Sequence, residues 1–306
     1  MELINFKKEK KLKKLFLTMF FVLLATPAFA KMEIITSYQY IQSITENIGK
    51  DKVNVSSFSK GSWDPHFVIP KPSLIARARK ADLLIINGAQ LEIGWLPPII
   101  RQANNPEIQP GVKGFLDLSQ FIKLIQVPTN VSRGQGDVHP FGNPHFHLDP
   151  NNIPLISDTI TEKLCQLDNG NCKYYETNNQ TFKKKWSEKL TGWNKKLKML
   201  NGTKIIEYHR VFDYLINRYD MSLFATLEPL PGIPPTPKHI SETIAKINKD
   251  TVKYNFRAIY NISAPSEYVS SKTSAKLITL PHDVDSVKEA TDIFSLFDEI
   301  VKRLSL

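Results

Sequence analysis

The stretch from Tyr174 to Leu200 constrains the fold of this chain more than any other. Its large apolar side chains recur every three or four residues and no proline interrupts them, which predicts one amphipathic helix of about 25 residues. With a rise of about 1.5 Å per residue, such a helix is longer than one ordinary lobe is wide. We therefore expect it to be a rigid strut that joins two lobes. The alternative is a pair of shorter helices that break near Gly192.

Short strands alternate with helices on both sides of this stretch. Asp82–Asn87 (DLLIIN) is a short apolar strand between helical segments, and Lys204–Tyr208 begins the same alternation in the second half. Apolar strands flanked by helices are typical of parallel sheets that are buried on both faces. The predicted fold is therefore α/β, with two lobes of mainly parallel sheets flanked by helices and joined by one long α-helix. We place the N-terminal lobe at residues 31–172, the linking helix at 173–201 and the C-terminal lobe at 202–306.

The first 30 residues have the pattern of a secretory signal peptide. Six lysines between Lys7 and Lys14 precede an apolar run, Leu15–Leu24, and Ala28 and Ala30 form a small-x-small cleavage site. The apolar run is too short to span a bilayer, although an uncleaved membrane anchor is the alternative. Because no cysteine follows the cleavage site, we expect no lipid anchor. The sequence predicts a soluble periplasmic protein that is cleaved near Ala30.

The chain carries 40 basic and 30 acidic residues, a net charge of +10. Six lysines and two glutamates of this total lie in the leader, which leaves +6 on the remaining chain. The run Lys183–Lys185 is typical of a solvated helix face, and no basic patch alternates with aromatic residues as in nucleic-acid-binding proteins. We therefore expect no nucleic-acid partner, and we expect a monomer.

Cys165 and Cys172 are the only two cysteines of the chain. The turn-rich sequence QLDNGN separates them, and an oxidising compartment favours a disulfide between cysteines that are so close. We predict a local disulfide here, with two free thiols as the alternative.

Three of the seven histidines lie in one proline-rich segment, Gly136–Pro150. These are His139, His145 and His147. The prolines break any helix, which predicts a loop that becomes a short extended segment at Phe146–Leu148. A rigid loop presents imidazoles to a metal at a low entropic cost. The segment therefore indicates a metal site, and a histidine-rich surface loop is the alternative.

Four short sequences with candidate ligands each follow a predicted strand or extended segment. They are Asp64-Pro65-His66, Asn143-Pro144-His145, Tyr208-His209-Arg210 and Pro281-His282-Asp283. Ligands of parallel sheets bind beyond the carboxyl ends of the strands. Since two of the four sequences lie in each half, a cleft between the lobes would bring them together. No HExxH or GxSxG sequence, of the kind found in zinc proteases and serine hydrolases, is present.

These sequences resemble the periplasmic zinc- or manganese-binding proteins of ABC importers, the type in which one long helix joins two lobes. The similarity covers essentially the whole chain after the leader. Its main stretches are WDPHFVIPKPSLIARARKADLLIINGAQLEIGWLP, NPEIQPGVKGFLDLS, GNPHFHLDPNN, YHRVFDYLINRYD, PGIPPTPKHI and LFDEIV. The resemblance implies four metal ligands in the cleft, His66, His145, His209 and Asp283. It also implies a partner, an ABC-type metal permease in the inner membrane.

Other residues near these positions are candidates for the same site. Asp285 could replace the implied carboxylate ligand, because the turn HDVD departs from the family's usual pattern. In an extended segment residues two apart share a face, so His147 could approach the metal together with His145. We expect His139 at the rim of the site and His239 in a structural or surface position.

Three imidazoles and one carboxylate suit tetrahedral Zn²⁺, whereas Mn²⁺ prefers more oxygen donors. Four protein ligands also leave no position for a catalytic water. We therefore predict a non-enzymatic receptor that binds Zn²⁺ and delivers it to the permease. The alternatives are a manganese or iron receptor of the same class, a zinc-dependent hydrolase and a surface adhesin.

Overall fold

The computed structural model describes residues 31–130 and 139–305. In the N-terminal half, four parallel strands form one sheet in the order β2-β1-β3-β4. The strands are β1 (Met32–Thr36), β2 (Val53–Ser57), β3 (Leu83–Ile86) and β4 (Phe115–Asp117), and the connecting helices are α1 (Gln39–Gly49), α2 (Pro72–Ala78) and α3 (Leu96–Ala103). Every residue of β3 is buried, as expected for a strand that is covered on both faces.

The C-terminal half repeats this arrangement with a parallel sheet in the order β6-β5-β7-β8. Its strands are β5 (Lys204–Glu207), β6 (Ser222–Thr226), β7 (Tyr254–Ala258) and β8 (Lys276–Leu280), and its helices are α6 (Asp213–Arg218), α7 (Pro237–Ile247), α8 (Ser263–Lys272) and α9 (Ile293–Leu304). The predicted α/β fold with two mainly parallel sheets is confirmed.

Helix α5 (Cys172–Leu197) is a single helix of 26 residues between the two sheets in the chain. It continues without a break through Gly192, where an added Cβ would meet no atom within 4 Å. Trp186 on its apolar face is fully buried, and its ring lies 5.5 Å from the ring of Phe294 in α9. The indole Nε1 of Trp186 donates a 2.9 Å hydrogen bond to the carbonyl of Pro150. The prediction of one long linking helix is confirmed, and this helix also contacts the end of the histidine-rich segment.

Helix α4 (Ile153–Leu167) leads from that segment to α5 through a 3-10 turn at Asn169–Asn171. Cys165 near the end of α4 and Cys172 at the start of α5 form a disulfide across this turn, as predicted.

Replacing both cysteines with alanine is expected to lower the free energy of unfolding by at most about 2–3 kcal/mol, because a bridge that closes a short loop restricts the unfolded chain only modestly. Bridged sulfurs are not thiolate ligands, so metal affinity should not change. Denaturant unfolding and zinc titration of both proteins would measure the two effects. A larger loss of stability, or weaker zinc binding, would contradict this expectation.

The loop after β2 contacts the turn after β8, and so joins the two halves directly. A Cβ at Gly61 would lie 1.7 Å from the carbonyl oxygen of Val284, so only glycine fits this approach. Two residues later, the carbonyl of Trp63 accepts a 3.1 Å hydrogen bond from Nε2 of His282. The segment that leads to His66 is therefore held by the C-terminal half.

Candidate metal centre

His66 lies on the loop after β2, and the preceding sequence fixes its ring. The Asp64 carboxylate accepts a 3.0 Å hydrogen bond from the His66 amide and lies 2.7 Å from Nδ1 of the ring. Burial alone would raise the pKa of Asp64, but the contacts with His66 outweigh it and hold that pKa below its usual value. The indole of Trp95 in turn donates to the carbonyl of Pro65 at 3.0 Å. Because an ionised carboxylate only accepts, Nδ1 carries the proton and the lone pair is on Nε2.

His145 is the most buried of the three predicted histidine ligands, with only 2% of its surface exposed. Its amide donates to the side chain of Asn143 at 2.9 Å, which fixes the backbone. Neither ring nitrogen has a hydrogen-bond partner among the described residues. Buried polar atoms in folded proteins are almost always paired, so this ring is a candidate for a ligand role. Burial, together with the nearby His66 and His209, lowers the pKa of His145 well below its usual value and keeps it neutral.

His209 follows β5 and is oriented in the same way as His66. Its Nδ1 lies 2.6 Å from a carboxylate oxygen of Glu228, which comes from the loop after β6. The same oxygen accepts a 3.0 Å hydrogen bond from the amide of Gly232. The proton is therefore on Nδ1 of His209, and the lone pair of Nε2 is available to a metal.

The structure brings these three predicted residues together. His66, His145 and His209 each offer a ligand atom, and the three atoms all lie within 4.8 Å of one another. The ring of His66 lies 5.4 Å from each of the other two, and those two are 6.0 Å apart. His145 and His209 line a small cavity of about 140 Å³. We call these three residues the histidine cluster.

His139 is closer to the cluster than the sequence analysis expects for a rim residue. Its Nε2 lies 3.3 Å from Nε2 of His66, and it lines the same cavity. Burial lowers the pKa of His139 to about 3, and the neighbouring His66 and His209 contribute to this shift. The sequence signal was the position of His139 in the histidine-rich segment, six residues before His145.

Asp283, which the family resemblance implies as a ligand, does not lie in the cluster. Its carboxylate is 1% exposed and accepts hydrogen bonds from the amides of Tyr40 (2.8 Å) and Gln39 (3.1 Å) at the start of α1. A third bond, of 2.8 Å, comes from the amide of Val284. The alternative, Asp285, is exposed and likewise outside every group of potential metal ligands among the described residues. The structure therefore does not support a carboxylate ligand from this turn, because the oxygens of Asp283 already bind the backbone of the other half.

His147 also lies outside the cluster, because Phe146–Leu148 is a 3-10 turn instead of the predicted extended segment. Residues two apart do not share a face in such a turn. The ring of His147 stacks on Tyr40 at 4.3 Å, and its Nε2 donates to the carbonyl of His282 at 2.8 Å. Burial lowers the pKa of His147 to about 3 and that of His282 to about 4, so both rings are neutral. The role of His282 in joining the two halves was not apparent from the sequence.

Residues 34–305 match the family described as ZnuA, zinc-uptake complex component A, periplasmic. The chain belongs to this family. It is therefore a metal-binding receptor of the kind that serves ABC importers. The ZnuA family match spans both sheets, α5 and all the residues of the histidine cluster.

Curated relatives of this ZnuA-family chain are named either as general metal or as manganese ABC transporter substrate-binding lipoproteins. It is 26% identical over 269 residues to the metal ABC transporter substrate-binding lipoprotein ScbA of Streptococcus cristatus, covering 85% of this chain and 82% of the relative. It is 24% identical over 249 residues to the manganese ABC transporter substrate-binding lipoprotein PsaA of Streptococcus pneumoniae, covering 80% of this chain and 77% of the relative.

Solved structures show the same fold. A crystal structure of ZnuA is 22% identical, has a TM-score of 0.75 and aligns over 90% of this chain and 98% of its own. The Mn-bound periplasmic metal binding protein from Candidatus Liberibacter asiaticus is 20% identical, with a TM-score of 0.72 and the same two coverages. At 20% and 22% sequence identity, these structures support the fold but do not indicate which metal this chain binds.

The relatives contradict the predicted localisation. They are named lipoproteins, whereas the sequence analysis expects a freely soluble periplasmic protein with a cleaved leader and no lipid anchor. The prediction that no lipid anchor is present depended on the lack of a cysteine at the cleavage site, and the names of the relatives overturn it. The leader itself lies outside the described residues. Within residues 31–130 and 139–305, no helix has the length and apolar character that a membrane span requires.

Proposed function

We propose that this receptor binds one Zn²⁺ in the histidine cluster and delivers it to an ABC-type permease. The proposal is carried by the buried ring of His145, which lies beside His66 and His209 and whose two nitrogens have no hydrogen-bond partner among the described residues. Residues 31–172 and 202–306 would act as the two lobes of the receptor, with 173–201 as the helix between them.

Zinc is favoured over manganese by the donor atoms of the cluster. All three donors are imidazole nitrogens, which suit Zn²⁺, while Mn²⁺ prefers oxygen. The two nearest carboxylates, Asp64 and Glu228, hydrogen-bond the Nδ1 atoms of His66 and His209. They would therefore orient the ligands and raise their basicity without entering the coordination sphere.

We also propose that the protein is not an enzyme. Three histidines alone would leave a fourth position for water, as in zinc hydrolases. A hydrolase would further need a general base near that water. Asp64 and Glu228 are both engaged by histidine, and no other carboxylate belongs to the cluster within the described ranges. An assay for zinc-dependent ester or peptide hydrolysis would detect activity if this view were wrong.

Titration of the purified protein with metal would test the proposed specificity. We expect one Zn²⁺ per chain and retention of zinc when Mn²⁺ is present at the same free concentration. Displacement of Zn²⁺ by Mn²⁺ under these conditions would instead identify a manganese receptor, the function printed in the names of several relatives.

Zinc binding near pH 5.5 is expected to release at most two protons per metal. Free imidazole titrates near pH 6.5, so a ligand that is protonated before binding must lose its proton to the solvent. The pKa of His145 is lowered well below that value, so its ring is already neutral and contributes no proton. The same shift means that the metal-free protein loses stability as the pH falls below about 6.5, because the unfolded chain then binds a proton that the folded chain does not.

Calorimetry in buffers of different ionisation enthalpy would count these protons. Three or more protons released per zinc would show that the buried rings are protonated in the metal-free protein, and would contradict this expectation.

A further inference from the structure

His139 and His66 are spaced as two ligands of one tetrahedral zinc ion. Their Nε2 atoms lie 3.3 Å apart. With Zn–N bonds of about 2.0–2.1 Å, the edge of a coordination tetrahedron is about 3.3–3.4 Å. A direct hydrogen bond between the two rings would also fit this separation. The separation of the two Nε2 atoms therefore matches the spacing expected for two ligands of one shared zinc ion.

The tautomer of His66 supports the same reading. Its Nδ1 donates to the Asp64 carboxylate at 2.7 Å, so Nε2 presents a lone pair to His139. A cation between the two rings would be attracted to this lone pair and to the lone pair of a neutral His139. His139 also lines the cavity that His145 and His209 line, so its ring is on the side of the cluster where a metal would bind.

Carboxylates do not compete for this position among the described residues. Asp283 is held by three backbone amides, and Asp64 and Glu228 are held by the Nδ1 atoms of the cluster. The described group of potential ligands within 4.8 Å of one another consists of His66, His145 and His209, without an acidic residue, and His139 approaches this group through His66.

The backbone that carries His139 is fixed by a tight turn. The carbonyl of His139 accepts a 3.1 Å hydrogen bond from the amide of Gly142. Gly142 has a φ of +115°, and an added Cβ would lie 2.7 Å from the carbonyl oxygen of Ile125, so this turn requires glycine. The next amide, that of Asn143, donates a 2.9 Å hydrogen bond to the carbonyl of Ile125. The turn thus places His139 at a defined distance from His145, which follows two residues after Asn143.

We propose that His139 supplies the fourth metal ligand through Nε2 and completes a four-imidazole site. This inference rests on the proposed function, because it assumes that the histidine cluster binds the transported ion. Four nitrogen ligands would occupy every tetrahedral position, which excludes a catalytic water and disfavours Mn²⁺. His139 is half-buried, like His66 and His209, whereas His145 is buried.

X-ray absorption at the zinc edge would count the imidazoles on the metal in the full-length protein. We expect four imidazoles in the unmodified protein, and three with one oxygen donor in His139→Ala. The electronic spectrum of the Co²⁺-loaded forms should change in parallel, and zinc affinity should fall by at least about tenfold in His139→Ala. His239→Ala is the matched control, since His239 hydrogen-bonds the backbone of Thr226 and lies outside the cluster.

Three imidazoles in the unmodified protein would overturn the inference, whatever the variants do. An unchanged cobalt spectrum and zinc affinity in His139→Ala would also overturn it. His145→Ala, measured alongside, separates this failure from a failure of the proposed function. If His145→Ala also binds zinc normally, the cluster is not the metal site at all. If His145→Ala loses zinc but His139→Ala binds it normally, His66, His145 and His209 remain the proposed protein ligands and the fourth ligand is a water.

Discussion

His145→Ala is expected to weaken zinc binding by more than about 100-fold, the largest effect of any single substitution that we predict. Losing a residue that only orients a ligand already costs about 10–100-fold, and His145 would be a ligand itself. Its ring is 2% exposed, so water would not easily replace it without a rearrangement of the surrounding loop. Competition with a chromogenic chelator would measure the affinity. His66→Ala and His209→Ala should also lose zinc severely.

His239→Ala serves as the control, since it replaces a histidine outside the cluster and should bind zinc like the unmodified protein. His147→Ala tests whether His147, and not His145, is the ligand from this segment. If His147→Ala lost zinc while His145→Ala retained it, the choice of ligand in the histidine-rich segment would be wrong. Comparing the far-ultraviolet circular dichroism of the metal-free proteins would show that each variant is folded.

Asp283→Asn is expected to destabilise the metal-free protein by about 2–5 kcal/mol and to leave the number of imidazole ligands unchanged. The carboxylate accepts amides on both oxygens, from Gln39 on one and from Tyr40 and Val284 on the other. The amide group of asparagine has only one acceptor oxygen, so its NH₂ group would face at least one buried N–H donor. Denaturant unfolding would measure the loss of stability, and X-ray absorption would count the ligands.

Asp285→Asn is the matched control from the same turn. Asp285 is exposed and has a φ of +59°, a left-handed conformation that asparagine tolerates well. The substitution Asp285→Asn should therefore have little effect on stability or zinc binding. If Asp283→Asn instead lost zinc without any loss of stability, the carboxylate would be a ligand after all, as the family resemblance implies.

The fold and the histidine cluster were largely predictable because their signals are local in sequence. A proline-free run with apolar residues every three or four positions specifies a helix, and α5 is that helix. Apolar strands between helices specify parallel sheets, and residues just after such strands lie at the ligand-binding edge. His66 and His209 both follow strands in this way, which is why the sequence analysis could place them together.

The role of Asp283 could not be predicted, because its partners are amides some 240 positions earlier in the chain. Backbone donors at a helix start carry no sequence signal for a distant acceptor. The extended segment predicted at Phe146–Leu148 was wrong, because a 3-10 turn forms there and directs the ring of His147 away from the cluster. The distance between His139 and His66 could not be predicted, because it depends on the turn closed by Gly142.

The bond between Trp63 and His282 makes the position of His66, a proposed metal ligand, depend on the arrangement of the two halves. His66 is part of the N-terminal chain, but the loop that carries it is fastened to the C-terminal half beside Gly61 and Val284. A movement that separates the halves would therefore also displace this loop. A permease that contacts both halves would therefore need no metal-binding group of its own. By moving the halves apart, it would distort the arrangement of the ligands and release the ion.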